Sequence, residues 1–71
     1  MNSKVETSLK TNIDKLIYLF KSKDFKSALN LSNKLLEIYQ DNTFLLNING
    51  IINLSLENWQ NALLAFKKTL K

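Results

Sequence analysis

Lys23-Asp24-Phe25-Lys26-Ser27-Ala28-Leu29 and Glu57-Asn58-Trp59-Gln60-Asn61-Ala62-Leu63 carry one pattern 34 positions apart: a polar turn, an aromatic residue, two polar residues, then Ala-Leu. The register extends outward from these two stretches. Phe20 falls on Leu54, Leu31 on Ala65 and Leu36 on Leu70. A fixed period of about 20 to 50 residues marks stacked supersecondary units, and it outweighs any local reading of the chain.

Each copy divides into two helices. Leu9, Ile13, Leu16, Ile17 and Phe20 recur at spacings of three and four, the apolar stripe of an amphipathic helix from about Leu9 to Ser22. Asp24 is placed to cap the next helix, because its carboxylate can accept a bond from a free backbone N–H in the first turn. That helix runs from about Phe25 to Tyr39. With Ala28, Leu29, Leu31, Leu35, Leu36, Ile38 and Tyr39 apolar, it reads as buried on two sides. Asp41-Asn42-Thr43 breaks the pattern and offers a cap for a third helix, Phe44 to Ser55. Asn58 takes the role of Asp24 for a fourth, Trp59 to Leu70. Residues 1–8 then form an N-terminal extension, 9–42 a first repeat and 43–71 a second repeat, truncated at its C-terminal end.

Composition supports an all-α chain and excludes much chemistry. The 71 residues are 45% apolar with one Gly and no Pro, which suits neither a turn-rich β protein nor a disordered segment. There is no His and no Cys. The commonest general base, the usual transition-metal ligands and any disulfide framework are therefore missing, and the chain reads as a non-enzyme without cofactor or metal. Glu6, Asp14, Asp24, Glu37, Asp41 and Glu57 show no spacing that would pair carboxylates or hold a cation, so they read as caps and surface. The net charge of +4 rests on ten Lys and no Arg, spread from Lys4 to Lys71. Solvated helix faces explain that better than a nucleic-acid surface, which favours Arg forks and stacking aromatics. Met1 to Lys10 lacks the apolar core of a signal peptide, and no stretch approaches the roughly 20 apolar residues of a membrane span. The expected location is the cytoplasm, with neither nucleic acid nor membrane as partner.

The 34-residue period, the paired helices and the Ala-Leu after an aromatic resemble the tetratricopeptide repeat family over about Leu9 to Lys71. In the second copy the family's bulky early residue falls on Leu46, its two small residues on Gly50 and Ala62, and its later aromatic on Phe66. The physical reason is close approach: Gly50 and Ala62 lack bulk where two helices meet, and Trp59 and Phe66 fill the space beside them. In the first copy Phe25 and Ala28 match. Leu16 stands where the family prefers a small residue, Ser32 where it prefers an aromatic, and Gln40 where it often has Pro. Asn49 and Asn53 replace positions that are usually apolar or aromatic.

The resemblance implies two tandem antiparallel helix-turn-helix repeats in a short right-handed α-solenoid. It also implies a concave groove that holds a peptide or an amphipathic helix. The residues so placed are Ile13, Ile17, Phe20 and Lys21 from the first copy and Phe44, Asn47, Ile51 and Leu54 from the second. The Lys and Asn pairs with which one subgroup grips a C-terminal carboxylate would fall on Ile13 and Ile17, so an apolar or helical ligand is expected instead.

Several residues admit two readings. Trp59 could be a binding hot spot, but its match to Phe25 favours packing between helices. Asn47, Asn49 and Asn53 could bond the backbone of an extended ligand or simply occupy solvent positions; both stay open. Lys67, Lys68 and Lys71 could meet an acidic partner, although complementing the helix dipole in the last turn explains them better. Two repeats fall short of the roughly three that such arrays normally need. The outer face of the fourth helix, with Leu63, Leu64, Phe66 and Leu70, is expected to be covered in one of two ways. One is a homo-oligomer formed through that helix. The other is the remainder of a longer repeat protein, such as one carrying a glycosyltransferase or sulfotransferase region. A protein-interaction module, a structural oligomerisation unit and a repeat segment of an enzyme are the three functional classes that follow.

Overall fold

The computed structural model describes the backbone of residues 2–70 and the side chains of residues 9–70. It consists of helices α1 (Asn2–Lys21), α2 (Phe25–Ile38), α3 (Thr43–Ser55) and α4 (Trp59–Thr69), with no strand among the described residues. The fold class is all-α, and each helix packs on its neighbours in sequence. The first helix begins at Asn2 rather than Leu9, so the backbone of residues 2–8 is a continuation of α1 and not a separate extension. Extending an existing helix adds one hydrogen bond per residue fixed, and this stretch has no Gly or Pro to stop it.

The turns after α1 and α3 share one geometry. Lys23 and Glu57 are the two non-glycine residues with positive φ among those described, at 64° and 62°. Around them Lys23 N–H donates to Phe20 O at 3.0 Å and Asp24 N–H to Leu19 O at 3.0 Å. The counterparts are Glu57 N–H to Leu54 O at 3.0 Å and Asn58 N–H to Asn53 O at 2.8 Å. Each is a Schellman motif, which uses one left-handed residue to satisfy the last free carbonyls of a helix. The 34-residue spacing seen in the side chains thus extends to the backbone. Lys and Glu, in place of the usual Gly, hold a conformation that costs an L-residue roughly 1 kcal/mol.

The helix starts differ. Asp24 Oδ1 accepts from Ser27 N–H at 3.3 Å, and Asn42 Oδ1 from Leu45 N–H at 3.0 Å. Asn58 occupies the N-cap position of α4 but makes no side-chain cap bond. This corrects its equivalence to Asp24: the amide of Asn58 points inward and donates to Asn53 Oδ1 at 3.3 Å.

The core cluster joins three helices, with Leu16 from α1, Ala28 and Leu35 from α2, and Leu45, Ile48 and Ile52 from α3. Leu9, Ile13, Phe20, Phe25, Leu29 and Leu36 lie partly buried against it. The rings of Phe20 and Phe25 meet edge to face with centroids 5.6 Å apart, a favoured aromatic geometry across the first turn. Along α2 the fully buried positions are Ala28, Ser32 and Leu35; Leu31 and Tyr39 are half-buried and Ile38 is exposed. The helix therefore buries one broad face rather than two sides, because no further helix covers the flank that holds Ile38.

The second hairpin closes on small residues. Ala62 and Ala65 of α4 are buried, and a Cβ placed on Gly50 would lie 2.5 Å from the ring of Phe66. Gly50 is thus the hollow that receives Phe66. Leu16 and Ser32, the positions equivalent to Gly50 and Phe66, are both fully buried as well. The bulk has changed helices: the first hairpin is large on its first helix and small on its second, and the second hairpin is the reverse. The two positions differ from their second-hairpin counterparts in opposite directions of size.

Candidate interaction surfaces

Three surfaces arise from this framework. The first is the outward face of α3. Phe44, Asn47, Ile51 and Leu54, at spacings of three and four, form one stripe along α3, and all four are exposed. On α1, Ile13, Ile17 and Phe20 are half-buried and Lys21 is exposed. Between its exposed ends, Thr43 and Ser55, the other residues of α3 are Leu45, Leu46, Ile48, Asn49, Gly50, Ile52 and Asn53, all buried. A helix apolar all round is normally covered on every side. Here one apolar side is left open.

The second is a polar seam inside the molecule. Asn49 Nδ2 donates to Ser32 Oγ and to Asn33 Oδ1, both at 2.8 Å, and so ties α3 to α2. Ser32 Oγ–H in turn donates to Leu29 O at 3.0 Å. Asn53 Nδ2 donates to Asn49 Oδ1 and Asn49 O, both at 3.0 Å, while its Oδ1 accepts from Asn58. Donation runs in one direction from the start of α4, through α3, to a carbonyl of α2, and no buried side-chain polar atom among the described residues lacks a partner. A furrow of about 330 Å³ lies above this seam, between Leu29, Asn33 and Leu36 of α2 and Asn61, Leu64 and Lys68 of α4. Its floor includes Asn49 and Asn53, whose amide protons are all engaged within the protein.

The third is the flank of α4. Trp59, Leu63 and Leu70 are 61%, 55% and 82% exposed. Trp59 is therefore not the helix-packing residue that its match to Phe25 suggests. Phe25 lies beside a core to which α3 contributes three residues, and among the described residues no helix takes that place beside Trp59.

No family model, curated protein or solved structure matches the chain.

The candidate residues sort accordingly. Gly50 and Phe66 meet in the second hairpin, where Ala62 is also buried, and Phe25 and Ala28 line the first. Asn49 and Asn53 leave both their expected roles, neither facing solvent nor offered to a ligand; Asn47 alone of the series is exposed. Lys67 and Lys68 sit exposed in the last turn of α4. Lys71 lies outside the described residues. Among the described residues no group of three or more acidic side chains could hold a metal ion, and no helix is long and apolar enough to cross a membrane. The missed element is the amide seam. Its signal was present: Ser32, Asn49 and Asn53 are the three polar residues at positions where the resemblance expects apolar or aromatic ones.

Proposed function

We propose that the chain is a protein-interaction module of tetratricopeptide-repeat type: two hairpins stacked as a short right-handed solenoid, holding an apolar or amphipathic helix against α1 and α3. It carries no catalytic machinery of its own and works in the cytoplasm. The supporting observation is the stripe Phe44, Ile51 and Leu54, left exposed on a helix that is otherwise enclosed. Burying such a stripe under the apolar face of a ligand helix releases about 25 cal/mol per Å² covered, and ligand helices are recognised by anchors at matching spacings. Ile13, Ile17 and Phe20 extend the apolar surface along α1, and Lys21 and Asn47 supply polar contacts at its margin.

The test is a nuclear magnetic resonance titration with an amphipathic peptide bearing Leu at helical spacing. Amide shifts centred on Ile13, Ile17, Phe44 and Ile51, abolished by Ile51→Asp, are the expected result. Shifts confined to α4, or none at all, would refute it. A second reading, an oligomerisation unit in which copies of the chain meet one another, is favoured by the exposure of Trp59, Leu63 and Leu70 on α4.

A further inference from the structure

The 34-residue correspondence shows what the bare flank of α4 lacks. Phe25, Leu29 and Leu36 of α2 correspond to Trp59, Leu63 and Leu70 of α4. In the first hairpin these positions are half-buried against a cluster to which α3 supplies Leu45, Ile48 and Ile52. In the second they stand in solvent. Of the nine large apolar residues exposed among those described, Trp59, Leu63 and Leu64 belong to this one short helix and Leu70 is its C-cap.

Resting on the second reading above, we propose that α4 pairs with α4 of a second copy, antiparallel about a two-fold axis, in a closed dimer. Three observations select this occupant. Trp59, Leu63, Phe66 and Leu70 follow one another at spacings of four, three and four, the seam of a coiled coil, with Phe66 half-buried against Gly50 at its edge. The seam is self-complementary when reversed, setting Trp59 against the partner's Leu70 and Leu63 against the partner's Phe66. Reversal also avoids stacking Lys67 on the partner's Lys67, as a parallel pair would, and sets the two helix dipoles antiparallel.

Open-ended stacking is disfavoured by α1. The positions equivalent to Leu45, Ile48, Asn49 and Ile52 on α1 are Thr11, Asp14, Lys15 and Tyr18, all exposed. Laying that face on Trp59 and Leu63 would desolvate a carboxylate and an ammonium against apolar side chains. The α1 face carries charged and polar groups beside Tyr18 whereas the α4 flank is apolar, and two such molecules close on each other through their apolar flanks.

The experiment is light scattering over a dilution series of the full chain, with emission of Trp59, the sole tryptophan, followed on the same samples. The mass is expected to rise from 8.2 kDa toward twice that value with concentration, and no further, while the emission shifts to the blue. Leu63→Glu puts two carboxylates beside the axis and raises the dissociation constant at least about tenfold, equivalent to 1.4 kcal/mol. Leu70→Lys does the same from the end of the seam, so the result does not depend on one variant folding. Ile51→Glu leaves the dimer intact. A monomer at every concentration, a mass that keeps growing, or a dimer untouched by both α4 variants would overturn the pairing. Loss of the dimer in Ile51→Glu alone would place the contact on α3 and overturn it as well, while an intact dimer with no peptide bound at Ile51 would remove only the groove.

Discussion

The two hairpins follow one plan with opposite solutions at its centre. In the first, Leu16 fills the space between helices and Ser32 stays small; in the second, Gly50 is the hollow and Phe66 fills it. The exchange has a further consequence. With a serine rather than an aromatic at position 32, a hydroxyl sits inside the interface between α2 and α3, and Asn49 is there to meet it at 2.8 Å. Volume and polarity were exchanged together. The comparison teaches that departures from a repeat pattern, degenerate when read one at a time, can form a single arrangement when they touch.

The largest test of this comparison is volumetric. Leu16→Ala should cost about 2–5 kcal/mol, as expected for a buried Leu in a site that cannot collapse. For a chain this small that is enough to unfold much of the population, visible as lost helicity by circular dichroism. Gly50→Val should also destabilise, by about 1–3 kcal/mol, because its Cβ enters the ring of Phe66 and overpacking outweighs the gain in helix propensity. Adding Phe66→Leu should recover part of that loss; equal damage in the single and double variants would show that the ring is not the obstacle.

A smaller effect tests the polar half. Asn49→Ala leaves Ser32, Asn33 and Asn53 short of partners and should cost about 1–3 kcal/mol in urea denaturation. Replacing the whole seam, with Ser32→Ala, Asn49→Leu and Asn53→Leu together, should come out near neutral or better, because no polar group is left buried without a partner. A triple variant as unstable as Asn49→Ala would mean that packing, not hydrogen bonding, sets the cost.

The smallest effect probes what the two hairpins share. Lys23→Gly and Glu57→Gly should each stabilise the chain by about 0.5–1 kcal/mol, since glycine takes the left-handed conformation without strain. The two gains should be alike. A gain at one site and a loss at the other would break the backbone equivalence of the two turns.

Helix number, the boundaries of α2, α3 and α4 to within a residue, the cap at Asp24, a cap within Asp41-Asn42-Thr43 and the close approach at Gly50 were all legible in the chain, because each depends on neighbours in sequence or on residue size. The start of α1 at Asn2 was not legible, since a helix can run on past its apolar stripe without any residue announcing it. The role of Asn58 was not legible either: position made it a cap, and the nearness of Asn53 turned its amide inward. The candidate site divides in the same way. Phe44, Asn47, Ile51 and Leu54 were singled out in advance by the resemblance, and helical periodicity places them on one stripe of α3. Whether a residue is covered depends on what lies beside it in space. Phe25 and Trp59 share a pattern in sequence and differ in burial because α3 contributes to the core beside the first and no described helix lies beside the second. Ser32, Asn49 and Asn53 likewise look like three isolated polar substitutions until the fold brings α2 and α3 within hydrogen-bonding distance. Sequence by itself determined the periods, the caps and the sizes. Only tertiary structure decided which apolar faces were spent on the core, and which polar groups found each other, because burial and hydrogen bonding between helices belong to pairs of surfaces and not to either one alone.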